Sequence, residues 1–93
     1  MSEEVRASHI LVDTEEEALE LKEKIKSGED FARYAAEFSN CPSGSNGGDL
    51  GFFSKGMMVK PFEDVAFTIP VGVVSDPVKT QFGWHLVLVT EKG

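Results

Sequence analysis

A chain of 93 residues with a net charge of −7 and one cysteine excludes several classes of protein. Its length predicts a single domain over residues 1–93, and its acidity, which repels phosphate backbones, argues against a nucleic-acid partner. One cysteine excludes an internal disulfide and a four-cysteine zinc site, and the absence of any long apolar run excludes a membrane-spanning helix.

The amino terminus bears on where the protein acts. The stretch "MSEEVRAS" lacks the basic region and the apolar region of a secretory signal peptide. We therefore expect a cytoplasmic location. An excised domain of an exported protein would begin in the same way, so this expectation depends on the sequence being complete. We also expect a monomer without a membrane partner.

The first predicted elements are a strand and a capped helix. Residues 5–12, "VRASHILV", alternate before they become apolar, and they are rich in strand formers. Thr14 and Glu17 then have the spacing of a capping box, which favours the start of a helix. We expect Gly28 to end this helix. Its apolar stripe consists of Ala18, Leu21 and Ile25.

A second helix and a long loop follow. Asp30 is a candidate N-cap for the helix "FARYAAEF". Phe31, Ala35 and Phe38 recur on one face of that helix. Residues 39–49, "SNCPSGSNGGD", are rich in Gly, Ser and Asn and predict a loop with tight turns. Such a loop inside one short domain is more often ordered or functional than a linker.

The remaining predicted elements are a strand at 50–53, a third helix near Pro61, and two further strands. Residues 70–78, "PVGVVSDPV", predict a turn, a short strand and a second turn, and "GWHLVLVT" at 83–90 is the last strand. The last two strands lie a few residues apart, as in a hairpin. The order β-α-α-β-α-β-β predicts an α+β fold with helices packed on a small antiparallel sheet.

Both histidines of the chain stand at the heads of apolar strands, His9 in "SHILV" and His85 in "GWHLVLV". A buried ring needs hydrogen-bond partners, and the two rings can serve each other if the first and last strands pair. One interpretation is a pair of core histidines that fixes strand register. Another is metal ligation with Cys41 or Asp49 as the third ligand, but the sequence has no metal-binding spacing.

Cys41 and a group of apolar side chains are further candidates for a site. A thiolate made by a neighbouring base is a nucleophile, but the sequence shows no oxyanion hole and no orienting third group. The commoner role of such a cysteine is a small, partly buried thiol. The apolar candidates suit a peptide side chain, because methionine adapts its shape and aromatic rings stack. They are Leu50, Met57, Met58, Phe62 and Phe82.

Four motifs, taken in order, resemble the parvulin peptidyl-prolyl cis/trans isomerases: "SHILV", "GGDLGFF", "MVKPFED" and "TQFGWH". The resemblance extends over about residues 5–91, which is nearly the whole chain. It implies a four-stranded antiparallel sheet with the two end strands in its centre, surrounded by three to four helices, as in parvulin and FKBP-like folds. This α+β architecture agrees with the order of the predicted elements.

The resemblance also implies an activity. It predicts a peptidyl-prolyl isomerase that accelerates rotation about Xaa-Pro bonds in peptides and unfolded protein segments, without a cofactor or a metal. The implied active-site residues are His9, Cys41, Thr80 and His85. The implied proline-binding residues are Leu50, Met58, Phe62 and Phe82. The alternative is a non-catalytic peptide-binding or chaperone module of the same fold, in which a charged residue would be expected to interrupt the apolar group.

The acidic residues are concentrated in residues 1–38, which carry a net charge of −6, and they bear on the choice of substrate. Phosphate-directed parvulins carry a basic cluster after the first strand, where this chain has "VDTEEEA", with Asp13 and three glutamates. A phosphoserine would meet carboxylates there. The resemblance and this difference together predict that phosphate is not required. The acidic residues of 1–38 as a whole either form a solvated helix face that aids solubility or attract basic clients.

Overall fold

The first and last strands of the chain lie side by side in the centre of a four-stranded antiparallel sheet. The structure, a computed structural model, describes residues 4–25 and 28–92. Its elements are β1 (Glu4–Val12), α1 (Glu15–Lys24), α2 (Gly28–Phe38), a 3₁₀ helix (Pro42–Asn46), β2 (Asp49–Ser54), α3 (Lys60–Ala66), β3 (Val78–Thr80) and β4 (Gly83–Lys92). The strand order is β2-β1-β4-β3. The predicted α+β fold is confirmed. Among the described helices, none has the length and apolar character that crossing a membrane requires.

The central strand pair is buried on both faces, because helices cover each side of the sheet. On one face, odd-numbered residues of β1 and β4 pack against α3, which contributes Phe62 and Ala66. On the other face, even-numbered residues of the same strands pack against α1 and α2, whose Phe31 and Ala35 are buried. This burial on two sides explains why much of β1 and β4 is continuously apolar instead of alternating.

The helix bounds agree with the sequence at the start of α1 and differ at the join between α1 and α2. The Glu17 N–H donates to Thr14 Oγ1 over 3.2 Å, as the capping spacing predicts. However, α1 ends at Lys24 with Ile25 as its C-cap, and Gly28 is the first residue of α2. The prediction that Gly28 ends the first helix is therefore wrong. The first amides of a helix have no intrahelical partner, so the start of a helix tolerates residues that its interior does not.

One prediction about α2, its N-cap, is also wrong, and the predicted apolar face is buried only in part. Asp30 lies in the first turn of the helix instead of preceding it, and its carboxylate is 3.5 Å from the Arg33 guanidinium. Phe38 is the last residue of the helix and is 51% exposed, and its ring contacts Tyr34. The face predicted for α2 is therefore buried at Phe31 and Ala35 but not at its end.

The short strand expected within residues 70–78 is only an isolated bridge, in which Val74 pairs with Leu88. Between this bridge and the regular ladder, the Val87 N–H donates to Ser75 Oγ over 2.9 Å instead of to a backbone carbonyl. Regular pairing with β4 begins at Val78, the first residue of β3. The strand therefore lies closer to the end of the chain than the sequence predicts.

A glycine packs directly on β1 at the position of its histidine. The His9 N–H donates to the Gly48 carbonyl over 2.9 Å, and Gly48 has a φ of +81°. A Cβ on Gly48 would lie 2.3 Å from the His9 carbonyl oxygen, which is too close for atoms that share no bond. Both the backbone conformation and the available space therefore require glycine here.

Gly48→Ala should lower the free energy of unfolding by about 3 kcal/mol or more, because left-handed backbone strain and overpacking against His9 add. Gly56→Ala is a matched control, since Gly56 has a φ of +92° but open space where a Cβ would lie. That variant should lose only about 1–2 kcal/mol. Urea titrations measure both losses, and equal losses would contradict the close packing of Gly48 on β1.

Candidate functional site

The pairing of β1 with β4 brings the two histidines together on one face of the sheet. His9 lies opposite Val87 and His85 lies opposite Leu11, so the two rings are diagonal neighbours. Their Nδ1 atoms are 3.0 Å apart, and their ring planes are inclined by 17°. The two rings therefore share a hydrogen bond, as the interpretation based on strand pairing predicts.

Hydrogen bonding continues from the histidine pair to the turn between β3 and β4. His85 Nε2 is 2.7 Å from Thr80 Oγ1, which also accepts from the Phe82 N–H over 3.2 Å. A bond between two Nδ1 atoms needs one donor and one acceptor, so only one of the two Nδ1 atoms carries a proton. A connected set of polar groups thus joins His9, His85 and Thr80 to the backbone of Phe82.

Both histidines are kept neutral by their surroundings. Burial, and after it the neighbouring charge of His85, lowers the pKa of His9 to about 4. Burial also lowers the pKa of His85. At pH 7 the pair is therefore uncharged, and each ring offers one nitrogen as a donor and one as an acceptor.

An apolar cavity of about 510 Å³ lies beside the histidine pair. Phe62 of α3 packs edge-on against both imidazoles, with ring centroids 5.7 Å from His9 and 5.5 Å from His85. Met57 and Phe82 also line the cavity and are 65% and 63% exposed, so they form part of its rim. The site therefore has a hydrogen-bonded base, apolar walls and an opening that a peptide can reach.

The cavity brings together nearly all of the residues that the sequence predicts for the site. Every predicted residue lines it except Thr80, which instead bonds to His85. The lining also includes residues that the sequence does not predict for the site: Leu11, Asn40, Pro42 and Val59. Strand alternation was a sufficient indication for Leu11, which lies two residues after His9 on the same face.

The structure also gives the positions of the two residues that were candidates for a third metal ligand. Cys41 is partly exposed and lines the cavity from the long loop, where its N–H donates to Ser39 Oγ over 3.3 Å. Asp49, the other proposed third metal ligand, bonds to Arg6 through both carboxylate oxygens. Across residues 4–25 and 28–92, no group of three or more His, Cys, Asp or Glu is placed to hold a metal ion.

Comparison with known proteins agrees with the geometry. The family model described as the PPIC-type PPIase domain matches residues 1–93. The chain belongs to this peptidyl-prolyl isomerase family, the parvulins. It is 56% identical over 89 residues to the foldase protein PrsA of Geobacillus kaustophilus, a match that covers 95% of this chain and 32% of the relative. The chain thus spans about a third of the length of this PrsA.

Solved structures of parvulins share the fold. The crystal structure of the peptidylprolyl isomerase PrsA from Bacillus anthracis matches with a TM-score of 0.94 and 41% identity, over 99% of this chain and 43% of that one. The solution structure of NmPin, the parvulin of Nitrosopumilus maritimus, matches with a TM-score of 0.86 and 49% identity, over 98% of this chain and 99% of that one. The whole of a small parvulin therefore corresponds to this chain.

The stability of this parvulin should fall as the pH drops from about 6.5 toward 4. His9 has a pKa of about 4 in the folded protein against 6.5 for an unperturbed histidine, so in this window the unfolded chain binds more protons. The contribution of His9, about 3 kcal/mol, is complete above pH 6.5 and is lost toward pH 4. Urea titrations at stepped pH measure it. The His9→Gln variant should show a flatter dependence, and a wild-type stability that is constant across the window would contradict the neutral buried pair.

Proposed function

We propose that this chain accelerates rotation about Xaa-Pro bonds and that its cavity holds the proline ring. The observation that supports this most directly is an apolar cavity of about 510 Å³ beside a buried, neutral pair of histidines. Methionine and aromatic side chains suit a small apolar ring that enters with flexible peptide on either side. We further propose that residues 1–93 fold as one unit and act without the remainder of a PrsA-like chain.

The proposed mechanism needs no covalent chemistry. The uncatalysed barrier to rotation is about 18–20 kcal/mol, because the amide must lose its resonance. For an Xaa-Pro bond the two planar isomers are close in energy, and no bond breaks during the exchange. The protein therefore has only to bind the twisted amide more tightly than either planar form.

The apolar walls supply the grip on proline in this proposal. The ring is held among Leu50, Met58, Phe62 and Phe82 while the carbonyl of the preceding residue rotates toward the opening. The cavity also disfavours the planar amide relative to the twisted one, because the planar form is more dipolar. The grip binds the substrate, and the preference for the twisted amide lowers the barrier to rotation.

We assign the polar groups at the base mainly to positioning. Thr80 joins His85 to the backbone of Phe82, and Phe62 rests on both imidazoles, so the network would hold two apolar walls in one geometry. The neutral rings have no positive charge to offer the rotating amide at pH 7. Cys41 lines the same cavity, and in this proposal it acts on the substrate carbonyl electrostatically and its sulfur does not attack.

We also propose that the substrate needs no phosphate. None of the described residues that line the cavity is a lysine or an arginine. Asn40 of the long loop lines the cavity, and its Nδ2 donates to Oδ1 of Asp13, the residue after β1, over 3.1 Å. An anionic residue next to proline would approach this carboxylate instead of a cation. The proposed partners are therefore unmodified proline-containing peptides and unfolded protein segments, whereas the monomeric state and the cytoplasmic location stay predictions.

Exchange spectroscopy by NMR on a short Xaa-Pro peptide, with and without the protein, tests the activity. We expect accelerated cis/trans exchange at protein concentrations far below that of the peptide. Peptide binding without acceleration would instead favour a non-catalytic chaperone module that holds unfolded segments in the same cavity.

Met58→Ala should lower kcat/KM by about tenfold or more, because it removes on the order of 1.5–3 kcal/mol of apolar contact with the proline ring. Phe62→Ala should lower it further. Cys41→Ala should keep measurable activity. The assay is the same exchange measurement, with circular dichroism to show that each variant is folded. A folded Cys41→Ala protein without activity would favour covalent catalysis.

Peptides that differ only before proline check the second proposal. Glu-Pro and phosphoSer-Pro peptides should be no better substrates than Ala-Pro and Leu-Pro peptides, because no lysine or arginine lines the cavity within the described part of the chain. The quantity to compare is kcat/KM. A large preference for the anionic peptides would contradict the proposal.

A further inference from the structure

A β-bulge interrupts β2 next to the cavity. The register of β1 against β2 slips by one residue between Asp49 and Phe52. As a result, two residues of β2, Leu50 and Gly51, lie opposite the single residue Ala7 of β1. Gly51 has a φ of +72°. Bulges of this kind bend a strand and change the direction of the side chains beside them.

The bulge accounts for the position of Leu50. In a regular strand, residues three apart point to opposite faces, so Leu50 and Phe53 would lie on opposite sides of the sheet. In this protein both pack against the same apolar cluster beside α3, and Leu50 also lines the cavity. Without the bulge, either the cavity would lose its Leu50 wall or Phe53, which is 1% exposed, would lose its burial.

Asp49 joins the bulge to Arg6 of β1 through its carboxylate. Oδ1 accepts from the Gly51 N–H over 3.0 Å and from Arg6 Nε over 3.2 Å, and Oδ2 accepts from Arg6 Nη2 over 2.7 Å. The Arg6 guanidinium also lies 3.4 Å from the Glu91 carboxylate of β4. A bidentate pair fixes the orientation of the carboxylate, and here it aims Oδ1 at the bulge amide.

We propose that Asp49, oriented by Arg6, is a positioning residue for prolyl isomerisation, because it fixes the bulge that turns Leu50 toward the proline ring. This inference rests on the proposed function of the cavity. Neither Asp49 nor Arg6 lines the cavity, so both act through Leu50. A wall that touches the ring in the ground state and in the transition state contributes uniform binding, so its displacement raises KM and leaves kcat nearly unchanged.

Substitution of Asp49 tests the effect. Asp49→Ala should raise KM by about fivefold, the value that corresponds to one lost hydrogen bond, with kcat within about twofold of wild type. Asp49→Asn keeps an Oδ1 acceptor for the Gly51 amide and should recover most of the affinity. Asp76→Ala is the control, since it removes the carboxylate of another ion pair, with Lys22, and should leave KM unchanged. An unchanged KM in Asp49→Ala would overturn the proposal.

A double-mutant cycle shows whether Asp49 acts through Leu50. In the Leu50→Ala background, where the wall is already gone, Asp49→Ala should add no further increase in KM. A second increase of about fivefold would overturn the proposal, because Asp49 would then reach the substrate by another route.

Gly51 variants keep the test valid if Asp49→Ala does not fold. Apart from its two chain neighbours, no described residue has a heavy atom within 4 Å of a Cβ on Gly51, so substitution there acts through the backbone alone. Asparagine tolerates a positive φ and valine does not, so Gly51→Val should raise KM while Gly51→Asn stays close to wild type. Equal KM values in these two variants would contradict the role of the bulge.

The same variants separate this inference from the activity itself. Peptide titrations followed by NMR give a Kd that does not depend on catalysis, and in the free proteins nuclear Overhauser effects report whether the Leu50 methyl groups still face the cavity. If wild type binds peptide but does not accelerate exchange, the proposed function fails. The positioning role then stands or falls with the Kd of Asp49→Ala and with the Leu50 contacts.

Discussion

The antiparallel pairing of β1 with β4 is the interaction on which both the fold and the site depend. Each outer strand attaches to one member of this pair, and each face of the pair supports its own apolar cluster. The register also decides which side chains share a face. A slip of one residue would turn His9 away from the cavity and toward α1 and α2, so the apolar residues that fix the register also fix the chemistry of the site.

The histidine pair belongs to the core and to the site at once. Its rings satisfy each other and Thr80 in the interior, where an unpaired polar group would be costly. They also form the surface on which Phe62 packs edge-on. The interpretation as core histidines that fix register and the interpretation as groups that shape a binding site are therefore compatible. Rigid positioning of the cavity walls follows from the stability of the core.

The sequence predicted the parts of this structure that depend on local patterns and on pairing. Apolar runs with a histidine at the head of each led to the central strand pair, and the residue types at Met58 and Phe62 led to the apolar cavity. Resemblance to the parvulins supplied Thr80, which no local pattern indicates. Local patterns were misleading at Gly28, because a glycine is compatible with the end of one helix and with the start of the next.

Other features depend on contacts between distant segments, which a local pattern does not encode. The β-bulge at Leu50 depends on the register of β1 against β2. The sequence indicates Asp49 only as a candidate metal ligand, because its partner Arg6 lies on a distant segment of the chain. Asn40 and Pro42 reach the cavity because the long loop folds back over the end of β1, where the Asn40 N–H donates to the Leu11 carbonyl over 2.8 Å.

The position of the two end strands also has a mechanical consequence. Val5 and Lys92 are partners in the ladder, so the two described ends of the chain leave the sheet at the same end of the central strand pair. A force that pulled these ends apart would act across the ladder and break its hydrogen bonds one after another, beginning at the pair of Val5 and Lys92. Such unzipping meets less resistance than shearing, in which many bonds bear the load together. The opening would reach His9 only after Ser8 and Leu88 had separated, so the outer end of the ladder protects the site from small displacements of the chain ends.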